Sequence, residues 1–154
     1  MNDKVYITED KCKDLALELK ELTTVKRKEV AEHLQYAKGM GDLSENAEYH
    51  EARDEQAKIE SRISQIENII KNAEIVRHKS SSTVEVGSEV VIQKIKEKES
   101  KTFIVVGSEE ADMLAGKISN ISPLGTALLG KKKGDTFEMT TPKGNIEYKI
   151  ISVK

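Results

Sequence analysis

A heptad seam between residues 52 and 73 constrains this chain more than any other feature. Ala52, Gln56, Ile59, Ile63, Ile66, Ile70 and Ala73 are spaced alternately four and three apart. Such a stripe lies along one side of an α-helix and has to be covered by another apolar stripe. No Pro or Gly lies between Asp42 and Gly87, so no backbone breaker interrupts the helix. A partner stripe precedes it: Leu15, Leu19, Leu22, Val30, Leu34 and Ala37 recur at helical spacing, with Lys26 interrupting the seam. Thr8 followed by Glu9 and Asp10 reads as an N-cap and an acidic first turn. Between the two stripes, Gly39-Met40-Gly41 puts two glycines in three residues and favours a turn. Two helices of similar length on a short connection pack antiparallel. Each arm of about 30 residues would run roughly 45 Å. The spacing therefore predicts a coiled-coil hairpin over residues 1–77, with its tip at 39–46.

Composition agrees with a long exposed element beside a modest core. Charged residues make up 34% of the 154, aromatics only 4%, and there is no Trp. The formal net charge of −2 supplies no global basic field for tight, direct nucleic-acid binding. The one cysteine, Cys12, has no internal disulfide partner, which fits a reducing, cytoplasmic setting, and its helical context makes it a small packing residue. No signal-peptide segment is evident, and no apolar run approaches the ~20 residues that span a bilayer. The expectation is a soluble protein with no membrane partner.

After the polar, Ser-rich stretch from His78 to Thr83, read as a linker, the period changes from helical to alternating. Val84 and Val86, then Val90 and Ile92, alternate with polar residues. Phe103 to Val106 is a short apolar run, and Ile146, Tyr148 and Ile150 alternate after a turn at Pro142-Lys143-Gly144-Asn145. Ser122-Pro123 opens a short helix that Gly130 closes. Residues 84–154 are thus predicted to form a small, mostly antiparallel sheet with one short helix, which makes the chain α+β.

The chemistry concentrates at the predicted tip. Asp42 and Glu45, three apart at the start of a helix, would put two carboxylates on one face. Two carboxylates can hold part of a Mg²⁺ shell, with water, substrate phosphate or a partner completing it. Such a site binds weakly alone and becomes useful beside another metal centre. The same spacing is also that of a capping box, in which Asp42 and Glu45 satisfy backbone donors and do no chemistry. Lys38 and Arg53 place one basic group on each arm near the tip, available either to RNA phosphates or to solvent and neighbouring acids. Lys26-Arg27-Lys28 reads as solvated surface. His33, His50 and His78 lack the spacing of zinc ligands, and no phosphate-binding glycine loop or nucleophile–base set is present.

Two motifs carry a family resemblance. Gly41-Asp42-Leu43-Ser44-Glu45-Asn46-Ala47-Glu48-Tyr49-His50 closely resembles the tip signature of the GreA/GreB transcript cleavage factors. Ser122-Pro123-Leu124-Gly125-Thr126-Ala127-Leu128-Leu129-Gly130-Lys131-Lys132-Lys133-Gly134-Asp135 resembles the signature of their C-terminal domain. The resemblance implies an FKBP-like C-terminal domain that docks on bacterial RNA polymerase and a coiled coil that enters its secondary channel. It implies that the factor stimulates the polymerase's own cleavage of backtracked RNA and is no enzyme by itself. Asp42 and Glu45 match the family's two tip acids, which hold Mg²⁺ only in the complex with polymerase. Lys38 and Arg53 fall where the family meets the 3′ segment of the RNA. Lys38 stands where Arg is more usual, and Ser44 where a basic residue is common. Ser122 and Pro123 align with the polymerase-docking loop. The resemblance also admits a second function, that of a regulator of the same architecture that occupies the channel without promoting cleavage. The chain itself is expected to be a monomer. The FKBP-like label does not imply prolyl isomerase activity. Of the aromatics Phe103, Phe137 and Tyr148, at least two sit in strand patterns expected to be core.

Overall fold

The seam folds as the sequence requires, with its details set by helix geometry. In the computed structural model, which describes residues 4–77 and 80–154, Asp10–Ala73 forms one compact unit and the described residues on either side form another. His78 and Lys79, which begin the expected linker, lie outside the described residues.

Helices α1 (Glu9–Glu21) and α2 (Arg27–Lys38) form the first arm of the hairpin and α3 (Ala47–Lys71) the second. Leu15, Val30, Leu34 and Ala37 are buried on one arm, and Ala52, Ile59, Ile63 and Ile66 on the other. At the base of α3 the buried residue is Ile69, while Ile70 is only half-buried. The buried stripe therefore takes a step of three after Ile66, where the heptad repeat steps four. Ala73 leaves the helical pattern and begins strand β2 (Ala73–Val76).

The break at Lys26 has a structural answer. Leu22–Lys26 forms a single π-helical turn, in which the Arg27 N–H reaches back to the Leu22 carbonyl. Leu22 and Val30 are eight apart, one more than two turns of α-helix, and the wide turn absorbs the extra residue. Leu19 and Leu22 consequently still pack against Val30, Ile59 and Ile63. The Thr23 hydroxyl donates to the Leu19 carbonyl at 2.8 Å and the Thr24 hydroxyl to Lys20 at 2.6 Å. Two forked ion pairs then tie the arms beside the seam. Arg62 grips Glu18 at 2.6 and 2.9 Å, and Arg27 grips Glu60 with both contacts at 2.6 Å.

The stretch expected to be hairpin, 1–77, contains strand residues near each end. β1 (Val5–Thr8) pairs with β2 in a two-stranded sheet. Val5 and Ile7 carry the β-branched alternation of a strand, and Ile7 is fully buried. Thr8 ends β1, and its N–H and hydroxyl both donate to the Glu110 carboxylate.

The larger sheet has the order β5-β4-β3-β7-β6, built from β3 (Glu89–Lys94), β4 (Ser100–Val106), β5 (Lys117–Ser119), β6 (Thr136–Thr141) and β7 (Gly144–Val153). Its pairs are antiparallel except the edge pair β4–β5, which is parallel. Helix α4 (Pro123–Leu128) packs with this sheet, Leu128 joining a core that includes Val90, Ile92, Val105, Ile118 and Ile150. Val84 is buried in the same core but lies outside any strand, its backbone bonded to Gly130 and Lys131. Among the described residues, no helix is long and apolar enough to cross a membrane.

Candidate functional site

The tip begins where α2 runs out at Lys38. Gly39 N–H bonds to Tyr36 and Met40 N–H to Ala37, both at 3.1 Å, and the chain then turns at Gly41 with φ +134°. Side-chain-bearing residues rarely adopt that conformation, which explains glycine at this position.

Asp42 and Glu45 do not sit on the first turn of a helix, because α3 begins at Ala47. Asp42 instead folds onto its own loop, with Oδ1 accepting from the Ser44 N–H at 3.0 Å and the Ser44 hydroxyl at 2.9 Å. Asx side chains readily make this bond two residues on, which displaces the capping box expected from the spacing. The two donors, the backbone N–H first, hold the Asp42 carboxyl below its usual range. Its second oxygen and the whole Glu45 carboxylate have no protein partner among the described residues. Both acids are exposed, and both line one shallow open depression with Met40, Asn46, Ala47 and Glu48.

The helix cap is Asn46, a residue the sequence reading passed over. Its Oδ1 accepts from the Tyr49 N–H at 3.0 Å, and its Nδ2 donates to the Ala37 carbonyl at 2.7 Å. An Asx residue immediately before the helical run was the available signal.

The basic residues flank this loop. Lys38 is exposed at the end of α2. Arg53, within α3, reaches the Tyr49 hydroxyl at 3.3 Å and lies 6.0 Å from the centre of that ring. His50 sits edge-on to Tyr49, its Nε2 3.4 Å from the Ser44 carbonyl. His33 faces Glu55 at 3.7 Å, and His78 lies outside the described residues. No set of three His, Cys, Asp or Glu side chains is arranged to hold a metal among the described residues. A cation at the tip would therefore need oxygens from elsewhere. Asp42 and Glu45 fit the one or two carboxylates that Mg²⁺ commonly takes from protein.

Ser122 and Pro123 form a second feature, on the sheet unit. Ser122 Oγ accepts from the Gly125 N–H at 3.1 Å and donates to the Ser119 carbonyl at 2.6 Å, while Pro123 takes the first turn of α4. A Cβ on Gly125 would lie 2.0 Å from that Ser119 carbonyl, so glycine is required for the close approach. Ile121, next to this node in the chain, and Met113, which lines a cavity with Ser122 and Pro123, are 72% and 69% exposed, and Leu114, which follows Met113, is 101% exposed. That cavity, of about 440 Å³, is lined also by Phe103, Met139 and Tyr148. Phe103 and Tyr148 therefore face a cavity as well as the core. Phe137 is buried and stacks on Tyr148, with ring centres 5.4 Å apart.

Residues 5–75 match the family model described as transcription elongation factor, N-terminal, and residues 79–154 match transcription elongation factor, GreA/GreB, C-terminal. The chain belongs to the GreA/GreB family. It is similar to the transcription elongation factor GreA of Clostridium acetobutylicum, at 46% identity over 98% of this chain and 97% of that protein. It is equally similar to GreA of Geobacillus kaustophilus, at 46% identity over 99% of each chain. Among solved structures, the GreA factor homolog 1 of Thermus thermophilus is 30% identical over 98% of this chain and 99% of its own, with a TM-score of 0.45. The GreA/GreB membership makes this chain a transcription elongation factor, in which the exposed acids of the tip loop and the Ser122–Gly125 node are the features with chemistry to offer.

Proposed function

We propose that this protein binds bacterial RNA polymerase as a monomer, inserts its hairpin into the secondary channel and stimulates the polymerase's own cleavage of backtracked RNA. The observation that carries the reading is the pair Asp42 and Glu45, exposed on one face of the loop that joins the arms, with carboxylate oxygens left unpaired. A carboxylate pair needed only for capping would spend its oxygens on the helix N-terminus, and here Asn46 does that.

Asp42, turned by Ser44, offers one oxygen, and Glu45 offers two. When bound between these oxygens and the polymerase, Mg²⁺ would acidify a water and offset charge on the scissile phosphate. Glu45 would also help to position the attacking water. Lys38 and Arg53 contact phosphates of the RNA 3′ segment, Lys38 as a point charge and Arg53 with its fork. Ser122 and Pro123 anchor the docking surface, with Met113, Leu114 and Ile121 as its apolar contacts.

RNA release from a stalled, backtracked polymerase complex tests the reading. Asp42→Asn and Glu45→Gln should abolish stimulated release while binding to polymerase is retained. Normal release by both variants would refute it. Binding without any release by the parent protein would instead make this a channel-occupying regulator.

A further inference from the structure

Asn46 uses both ends of its amide. The acceptor end caps α3 through the Tyr49 N–H, and the donor end crosses the loop to the Ala37 carbonyl, nine residues back in sequence. A cap requires only an acceptor, which Ser or Asp supplies equally well. The Nδ2 bond is therefore surplus to capping, and its target already accepts the Met40 N–H at 3.1 Å. Ala37 is itself fixed, being completely buried in the seam. The bond thus ties the start of the second arm to the last seam residue of the first, closing the loop that carries Asp42 and Glu45. Asn46 also lines the same depression as both acids, and it is half-buried where they are exposed.

We propose that Asn46 is a positioning residue, whose cross-loop bond to Ala37 holds Asp42 and Glu45 together for their joint task. This rests on the cleavage reading above. The alternative is that Asn46 acts only as a helix cap. The two separate because Ser at this position keeps a capping oxygen but is too short to reach the Ala37 carbonyl, and it adds no charge.

The test compares full-length Asn46→Ser, Asn46→Ala and Asp42→Asn with the parent in three measurements. These are polymerase affinity, amide hydrogen exchange across residues 38–51, and RNA release as a function of Mg²⁺ concentration. Asn46→Ser should bind polymerase as the parent does and keep the protection of the Tyr49 amide. Exchange across 39–45 should accelerate, and maximal release should fall about tenfold, the low end of what supporting bonds to metal ligands are worth. The Mg²⁺ concentration for half-maximal release should rise, a shift that a lost cap alone would not produce. Asn46→Ala should add loss of the Tyr49 protection. Parental exchange and parental release in Asn46→Ser would overturn the positioning role, as would loss of release with unchanged exchange across the loop. If Asp42→Asn also releases RNA normally, the cleavage reading itself fails, and the two failures are told apart by that variant.

Discussion

Deleting Thr24 should leave the hairpin intact, although it removes a residue from the middle of a coiled coil. The π turn at Leu22–Lys26 takes up one residue too many between Leu22 and Val30. Without Thr24 the two are seven apart, and an ordinary α-helix keeps Val30, Leu34 and Ala37 in the seam. The deletion forfeits the 2.6 Å bond from the Thr24 hydroxyl to Lys20 and regains a regular backbone bond, each worth about 1 kcal/mol. The net change should therefore stay within about 1 kcal/mol of zero. The matched control is deletion of Ser61, exposed on α3 between Ile59 and Ile63. With no wide turn there to absorb it, everything beyond rotates by about 100°. Ile63, Ile66 and Ile69, at 3%, 0% and 5% exposure, would leave the seam together, and at about 1.5–3 kcal/mol each the loss should reach roughly 5 kcal/mol or more. Urea unfolding followed by the far-ultraviolet helix signal measures both, provided the slopes stay comparable. If the Thr24 deletion costs as much as the Ser61 deletion, the phase argument is refuted and the π turn has some other origin.

Replacing Ser44 with Ala removes one of the two donors on Asp42 Oδ1, so the Asp42 carboxyl should titrate closer to its ordinary value of 3.8, as carboxyl resonances would report. Glu18 and Glu60 are both held below their usual 4.5, chiefly by hydrogen bonds from Arg62 and Arg27. Their stabilisation is complete above that value and is lost as pH falls through the lower folded-state values. The melting temperature of the hairpin should drop over that acid range, and less steeply in Glu18→Gln. Gly125→Ala drives a Cβ into the Ser119 carbonyl; it should weaken polymerase binding at least tenfold while leaving the hairpin's melting unchanged.

The seam was legible in the sequence because burial of one stripe has a fixed period, and Leu15, Leu34, Ala52 and Ile63 all fell where that period put them. Local competition hid the rest. The spacing of Asp42 and Glu45 suits a capping box, yet nothing in a spacing reveals that Asp42 will take Ser44 as its nearer donor and leave the cap to Asn46. Lys26 marked a fault in the seam, but whether the chain would expose it, kink or widen a turn depends on what the second arm offers to bury. β1 and β2 are four residues each, and their strand character comes from pairing with each other across the whole length of the hairpin. The Ser122 cap and Pro123 at the first turn were readable because that chemistry is contained within a few consecutive residues.

With polymerase bound, the loop between the arms should lie beside the polymerase's active-site metal. Replacing the polymerase's active-site Mg²⁺ with Fe²⁺ and generating hydroxyl radicals cuts any protein segment lying close to that ion. With this protein bound, cuts should fall within residues 38–46 and nowhere in the sheet unit. Cuts in the sheet unit, or an uncut hairpin in a complex shown to be fully formed, would contradict the account.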